Sequence, residues 1–177
     1  MASLRPAALI VAALIALFAP ASAAAACRGS GATTKTATTR TLVRATLCIL
    51  NAKRAGHHLR ALRLNDKLGT AARQHSRAMV RRHFFSHTSL NGNTFIDRIR
   101  ATGYLEGAGR WSAGENIAYG SEGRSTPRSI ARAWMNSEGH RANILNRSFR
   151  EIGIGIASGT PVRVAGATYT TDFGRRD

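Results

Sequence analysis

The sequence has few acidic residues, few cysteines and few lysines. Nine Asp and Glu residues stand against 26 Lys and Arg residues, which leaves a net charge of +17 in 177 residues. Only two residues are cysteine, which excludes a disulfide-rich small scaffold. The compact zinc motif His-Glu-x-x-His is absent, which excludes the metalloprotease class that carries it. An apolar content of 44% over this length fits one globular domain.

The start of the chain has the layout of a secretory signal. Arg5 precedes an apolar run from Ala7 to Ala19, and the small residues Ala21-Ser22-Ala23 after it form a cleavage site. A membrane anchor is the alternative, but such anchors need about 20 apolar residues and this run is broken at Pro20. We therefore expect a secreted protein with no transmembrane segment in the mature chain. The predicted parts are a signal peptide (1–26), a Thr-rich N-terminal strap (27–41) and one domain (42–177).

The two cysteines, Cys27 and Cys48, both lie early in the mature chain. Export would place them where disulfides persist, and a bridge would tie the strap to the first helix. One alternative is a lipoprotein with lipid on Cys27, although Ala24 fits poorly at a position where lipid-attachment sites usually have leucine. The other is a pair of unpaired thiols. We expect the disulfide.

The basic excess is made almost entirely of arginine. Arginine supplies 23 of the 26 basic residues, and loss of Arg5 with the signal leaves a charge of +16. Such an excess favours anionic partners, including nucleic acid, acidic envelope polymers and lipid headgroups. The arginines are spread along the whole chain, without a block of five or six and without interleaved aromatic residues. We expect a generic basic surface, with nonspecific adhesion to anionic envelope polymers and no specific nucleic-acid site.

Hydrophobic spacing predicts helices in the first part of the chain and strands in the second. Helices are predicted over Leu42–Ala55, Asn65 or Asp66 to Arg82, Thr94–Ala101, from Thr126-Pro127 onward, and over Ala142–Leu145 after a break at Ser137–His140. Strands are predicted over Glu115–Tyr119, Glu151–Ile156 and Val162–Phe173, with a loop over Gly107–Gly114. This order indicates an α+β domain with an antiparallel sheet.

Two of the six histidines lie where the periodic pattern breaks. His87 follows Phe84-Phe85-Ser86, and His140 ends the break at Ser137–His140; such breaks aim side chains into clefts. Glu115 opens a largely apolar strand in a chain with few carboxylates. Two histidines and a carboxylate could hold a divalent metal or divide the roles of general base and acid. The other four histidines are expected in structural or solvated positions: His57, His58, His75 and His83.

Five ordered motifs resemble the bacterial SCP-like branch of the CAP superfamily, and together they cover roughly Leu42 to Gly174. They are Phe84-Phe85-Ser86-His87, Gly114-Glu115-Asn116-Ile117-Ala118, Trp134 to Leu145, Gly153-Ile154-Gly155, and Tyr169-Thr170-Thr171-Asp172-Phe173-Gly174. The resemblance implies an α-β-α sandwich with a central antiparallel sheet between helical layers.

The resemblance also implies a cleft with two histidines and two glutamates. His87, Glu115 and His140 look like the first histidine, the glutamate of the Gly-Glu-Asn motif and the second histidine. The position of the second glutamate is Ser137, and Glu138 is displaced from it by one residue. The tetrad is therefore incomplete, and Ser137 and Glu138 are weaker candidates.

A fold of this kind does not by itself name a reaction. The first hypothesis is a secreted binding module whose cleft holds a divalent metal such as zinc at His87 and His140, with Glu115 nearby, or a small lipidic or acidic ligand. The second is a metal-dependent, peptidase-like hydrolase, since no other activated nucleophile is evident. The third is adhesion to anionic polymers through the arginine-rich surface.

Overall fold

The computed structural model describes residues 27–177, so the predicted signal peptide lies outside the described residues. Five helices and four strands follow one another along this part of the chain. In order they are α1 (Thr39–Ala55), β1 (Arg63–Leu64), α2 (Asp66–Arg82), α3 (Phe95–Ala101), β2 (Trp111–Ser121), α4 (Pro127–Asn136), α5 (Glu138–Leu145), β3 (Glu151–Ser158) and β4 (Gly166–Arg176). None of the helices from residue 27 onward has the length and apolar character needed to cross a membrane.

The four strands form one sheet in the order β1-β3-β4-β2. The three long strands are antiparallel, as the sequence predicts, while the short β1 runs parallel to β3 and makes the sheet mixed. Helix α2 packs on one face of β3 and β4, with α3 beside it, and helices α1, α4 and α5 cover the other face. The predicted α-β-α sandwich is confirmed.

Helix α2 sits directly on the backbone of β3 because the middle of that strand presents only glycines to it. Gly153 and Gly155 alternate with the three isoleucines of β3, so the glycines face α2 while Ile152, Ile154 and Ile156 join the core on the other face. A Cβ atom at Gly153 would overlap the backbone of Leu68, and one at Gly155 would overlap that of Ala72. Glycine in a strand commonly marks such a close approach of two backbones.

The larger core lies between the sheet and helices α1, α4 and α5. Trp134 of α4 is buried, packs edge-to-face against Tyr169 and donates its indole N–H to the carbonyl of Ile117 on β2, 3.2 Å away. Thr126 caps α4 through Ser129 and Pro127 follows at the first helical position, as the sequence predicts. These contacts fix α4 along β2, the edge strand that carries Glu115.

Several element boundaries differ from the sequence predictions. Strand β2 begins at Trp111 inside the predicted glycine-rich loop, because eleven consecutive residues pair with β4. Strand β4 begins at Gly166 rather than Val162, and helix α1 begins at Thr39 because Thr38, not Thr41, accepts the capping hydrogen bond. Each boundary is set by strand pairing or by a single capping hydrogen bond, and hydrophobic spacing along the sequence reveals neither.

The predicted disulfide between Cys27 and Cys48 is confirmed. It joins the start of the strap to the middle of α1, and Cys27 is buried in the larger core. The strap is also held at Ser30, whose hydroxyl accepts a hydrogen bond from Arg128 and whose carbonyl accepts one from the Arg128 backbone N–H. The bridge therefore fastens the strap to the helices.

Removing the disulfide is expected to lower the free energy of unfolding by about 3 kcal/mol, because the bridge restricts the unfolded chain over a sequence separation of 21 residues. The measurement is denaturant unfolding of the oxidised protein and of the double variant Cys27→Ser/Cys48→Ser. A difference below about 1 kcal/mol would show that the disulfide restricts the unfolded chain very little.

Candidate functional site

His87 and Glu115 form a direct pair beside the edge strand β2. The His87 Nδ1 atom lies 2.7 Å from Oε1 of Glu115. The carboxylate is almost completely buried, with 1% of its side chain exposed, whereas 52% of the His87 side chain is exposed. The pair therefore presents an imidazole to solvent and holds it from behind with a buried carboxylate. Because Nδ1 faces Glu115, Nε2 is the ring nitrogen left for a ligand.

Arg98 of α3 holds both members of this pair in place. Its Nη2 donates to Oε2 of Glu115 at 2.6 Å, and its Nη1 donates to the backbone carbonyl of His87 at 3.0 Å. The Arg98 side chain is 9% exposed, so this ion pair is largely shielded from water. Burial alone would raise the pKa of Glu115, but the hydrogen bond from His87 and the charge of Arg98 outweigh it and lower that pKa below its ordinary value. Glu115 is thus ionised at neutral pH.

His140 lies in the first turn of α5 rather than in a long break between helices. The interruption predicted over Ser137–His140 shrinks to Ser137 alone, because α5 begins at Glu138. The Nδ1 atom of His140 lies 2.9 Å from Oγ of Ser137. Burial, and a smaller effect of the nearby His87 charge, lower the pKa of His140.

A pair of asparagines ties α5 to β2 and so places His140 relative to Glu115. Asn116 donates to the backbone carbonyl of His140 at 3.0 Å. Asn143 donates to the backbone carbonyl of Glu115 at 3.1 Å and to the side-chain oxygen of Asn116 at 2.9 Å. The bond from Asn143 also satisfies a backbone carbonyl of the edge strand β2.

His75 has the structural role that its position on α2 predicts. It is 1% exposed, and its Nε2 donates to the carbonyl of Ser86 at 2.9 Å. That bond joins α2 to the segment that carries His87. Burial lowers the pKa of His75, so it is neutral at neutral pH.

Among the described residues, His87, Glu115 and His140 do not form a metal centre with three ligands. Both oxygens of Glu115 are already engaged, one by His87 and one by Arg98. Over residues 27–177, no group of three or more His, Cys, Asp or Glu side chains is arranged to hold a metal ion. Any cation here would have Nε2 of His87 and of His140 as its protein ligands, with Glu115 orienting His87 from behind.

The weaker candidates differ in their contacts. Ser137 contacts His140 as described, whereas Glu138 is exposed in the first turn of α5. Within the described part of the chain, no hydrogen bond or ion pair joins Glu138 to His87 or Glu115. Glu138 therefore makes no direct contact with the His87–Glu115 pair.

Sequence reasoning missed Arg98 and Asp172. Arg98 is one of 23 arginines and carries no distinguishing signal in the sequence. Asp172 does carry one, since it is the only carboxylate in the predicted strand Val162–Phe173, as Glu115 is in its own predicted strand. The two residues are directly opposite each other on β2 and β4. Asp172 is 1% exposed, and among residues 27–177 neither of its oxygens has a hydrogen-bond partner in good geometry. Burial, with the neighbouring charge of Glu115, raises the pKa of Asp172 well above its usual range.

Asp172 should make stability depend on pH in a way that asparagine does not. The unfolded chain releases this proton near pH 4, while the raised pKa keeps the proton on the folded protein to higher pH, so folding becomes less favourable as the pH rises above about 4. The stability of Asp172→Asn relative to the unmodified protein is therefore expected to increase over this range. Urea unfolding of both proteins at a series of pH values measures it. Parallel curves for the two proteins would contradict a protonated Asp172.

The family model described as the cysteine-rich secretory protein family, CAP, matches residues 47–172. The uncharacterised Bacillus subtilis protein YkwD is 35% identical over 125 residues, which is 71% of this chain and 44% of that protein. The uncharacterised B. subtilis membrane protein YlbC is 33% identical over 110 residues, covering 62% of this chain and 30% of that protein. This chain thus spans less than half the length of these curated relatives.

Solved structures agree with the family match. An extracellular protein containing an SCP domain from Bacillus anthracis is 29% identical, with a TM-score of 0.61, over 78% of this chain and 44% of that one. An outer surface protein of Borrelia burgdorferi is 22% identical, with a TM-score of 0.67, over 80% of this chain and 97% of that one, and shows the shared fold. The order of the motifs, the sandwich and the family match lead to one conclusion: this chain belongs to the cysteine-rich secretory protein (CAP) family.

Proposed function

We propose that this chain is an exported binding module whose cleft, formed by His87, Glu115 and His140, holds a divalent cation such as zinc together with a small acidic or lipidic ligand. The observation that carries the proposal is the His87–Glu115 pair, 2.7 Å between Nδ1 and Oε1. A carboxylate behind the imidazole fixes which nitrogen bears the proton and makes Nε2 a better electron-pair donor. When bound, the cation would supply a positive centre for an anionic group.

The number of protein ligands favours binding over catalysis. Zinc in catalytic sites usually has three protein ligands and one open position. Here two imidazoles would leave more positions open, which an acidic ligand or water can fill. A carboxylate or phosphate on the ligand would therefore complete the coordination.

An exposed aromatic pair beside the cleft supports a ligand with an apolar part. Phe85 and Tyr119 are 46% and 40% exposed, and their rings meet edge-to-face with centroids 5.0 Å apart. Phe85 is two residues from His87, and Tyr119 lies on the same strand as Glu115. An apolar chain could pack on these rings while its acidic end reaches the histidines.

Three observations support an extracellular location. Near its start the sequence has Arg5, an apolar run from Ala7 to Ala19 and a cluster of small residues, which is the layout of an export signal. The Cys27–Cys48 disulfide is of the kind that persists in oxidising compartments. The B. anthracis structure to which this chain is similar is that of an extracellular protein.

A hydrolase is the second candidate, and the Ser137–His140 contact of 2.9 Å is the observation that favours it. A serine nucleophile needs a base that a third group orients. In the described chain His140 has no carboxylate bonded to its other ring nitrogen, and the contact spans three residues at the start of a helix. Labelling of Ser137 by a fluorophosphonate, absent in Ser137→Ala, would favour the hydrolase over the binding module.

The binding proposal is tested by titrating the metal-free protein with zinc in a calorimeter. His87→Ala and His140→Ala are each expected to weaken zinc binding by about a hundredfold or more, because each removes one of two ligands. His57→Ala is the matched control, since His57 lies in an exposed turn after α1 and should leave the affinity unchanged. Zinc affinity should also decrease with falling pH, because protonation of an imidazole prevents it from binding the metal. Since the pKa of His140 is lowered, its protonation should weaken binding only at a pH below the ordinary histidine value of about 6.5.

Two results would contradict the metal site. Zinc binding that is equal in all three variants and in the unmodified protein would place the ion elsewhere. Loss of binding only in His57→Ala would assign it to the turn after α1.

A further inference from the structure

Five arginines that are far apart in the sequence converge at one end of the sheet. Strands β1 and β3 begin there and β4 ends there, so residues near those ends become neighbours. We call this group the arginine rim. It consists of Arg60, Arg63, Arg150, Arg175 and Arg176, which border a depression of about 410 Å³ together with Glu151 and Asp177. Arginines that are spread along the sequence are therefore clustered on the folded surface.

The two carboxylates leave most of the rim's charge uncompensated. Glu151 is turned toward the protein, where its oxygens accept hydrogen bonds from Asn65 at 2.9 Å and Tyr104 at 2.7 Å. Asp177 is held by Arg175, with its two oxygens 3.0 Å and 2.8 Å from Nη2. Counting side chains only, the five arginines and two carboxylates give the rim three more positive than negative charges.

Three members of the rim are available to an external anion. Arg60, Arg63 and Arg176 are exposed, and among residues 27–177 none of them makes a salt bridge. Arg176 lies over the ring of Tyr104, 5.2 Å from its centroid, which limits its motion without neutralising it. Guanidinium groups held in this way keep their hydrogen-bond donors free for a ligand.

The basic surface continues beyond the rim. A second depression of about 280 Å³ shares Arg175 and Asp177 with the first and is also lined by Arg110, Trp111, Ser112 and Ser148. Trp111 is 43% exposed there. The combined volume of the two adjoining depressions is larger than one small anion would fill, so the surface suits a chain of anionic groups.

We propose that the arginine rim binds a polymer whose repeating units carry phosphate groups. Each phosphate unit of such a polymer has two non-bridging oxygens that accept from guanidinium groups, and successive units can meet the guanidiniums that approach from the ends of three strands. This site lies apart from the histidines and glutamate of the cleft, and the proposal does not depend on zinc binding there.

The test compares two triple variants that lose the same charge, using long-chain inorganic polyphosphate as the probe. The rim variant lacks the three exposed arginines of the rim and carries Arg60→Gln/Arg63→Gln/Arg176→Gln. The control variant lacks three exposed arginines of α1, α2 and α4 and carries Arg44→Gln/Arg77→Gln/Arg132→Gln. The rim variant is expected to lose at least about tenfold in affinity, and its salt slope should fall by about three. The control should lose no more than about twofold, because its arginines act only through a screened field. Both variants should retain zinc binding.

Three results would overturn the proposal. Equal losses in both variants would make the surface generic. Equal affinity of the unmodified protein for polyglutamate of matched charge would remove the preference for phosphate, and binding to phosphatidylglycerol vesicles without binding to polyphosphate would assign the surface to membranes. Hydrogen exchange of the unmodified protein with polyphosphate provides a check free of mutations. Protection should appear at β1 and the end of β4, and protection confined elsewhere would also contradict the rim.

Discussion

Replacing Arg54 with methionine is expected to lower the free energy of unfolding by about 3–5 kcal/mol. Arg54 is fully buried on α1, and its guanidinium donates to the backbone carbonyls of Arg60, Ile144, Asn146 and Phe149. Two of these carbonyls end helix α5, where they have no partner within the helix. Methionine fills a similar volume but leaves these acceptors without a donor.

The measurement is urea unfolding of Arg54→Met beside Lys53→Met, which changes the exposed neighbour on the same helix. Lys53→Met should alter the stability by less than about 0.5 kcal/mol. A similar small change for Arg54→Met would mean that water satisfies the carbonyls and that Arg54 does not hold α5. Because α5 carries His140, the Arg54 variant should also weaken zinc binding.

Gly155→Ala is expected to lower the free energy of unfolding by about 3 kcal/mol or more, at the upper end of the range for overpacked cores. The added methyl group would overlap backbone atoms of Ala72 and Arg73, which cannot rotate away as a side chain can. Helix α2 must therefore move off the sheet. Gly123→Ala is the control, since a Cβ atom there meets nothing within 4 Å.

Thermal or denaturant unfolding of the two glycine variants checks this expectation. If Gly155→Ala were as stable as Gly123→Ala, α2 would not rest on the backbone of β3. The same shift should disturb His75, which lies on α2 and bonds to Ser86 next to His87.

The periodic part of the fold could be predicted from sequence because its signals are local. The 3.6-residue spacing located α2, and its end at Arg82 is confirmed. The alternation of Ile and Gly located β3, and the three isoleucines share one face as predicted. Strand β1 could not be predicted, because two residues carry no periodicity and owe their pairing entirely to β3.

The candidate site, too, could be predicted from sequence only in part. His87 and Glu115 could be paired from motifs whose order resembles a known family, and their hydrogen bond joins residues 28 apart in sequence. Arg98 could not be found, because its role depends on how α3 lies against β2 and on the carboxylate that it meets there. The arginine rim escaped notice for the same reason, since its members come together only at the ends of paired strands.

The most direct test of the cleft is a two-dimensional NMR experiment that correlates the imidazole nitrogens with the ring protons, recorded as zinc is added to the metal-free protein at neutral pH. In the metal-free protein, we expect His87 to carry its proton on Nδ1, facing Glu115. On addition of zinc, the Nε2 resonances of His87 and His140 should shift together, while those of His57 and His75 stay in place. Shifts confined to other histidines, or an unchanged His87 and His140 at saturating zinc, would contradict the proposed cation site.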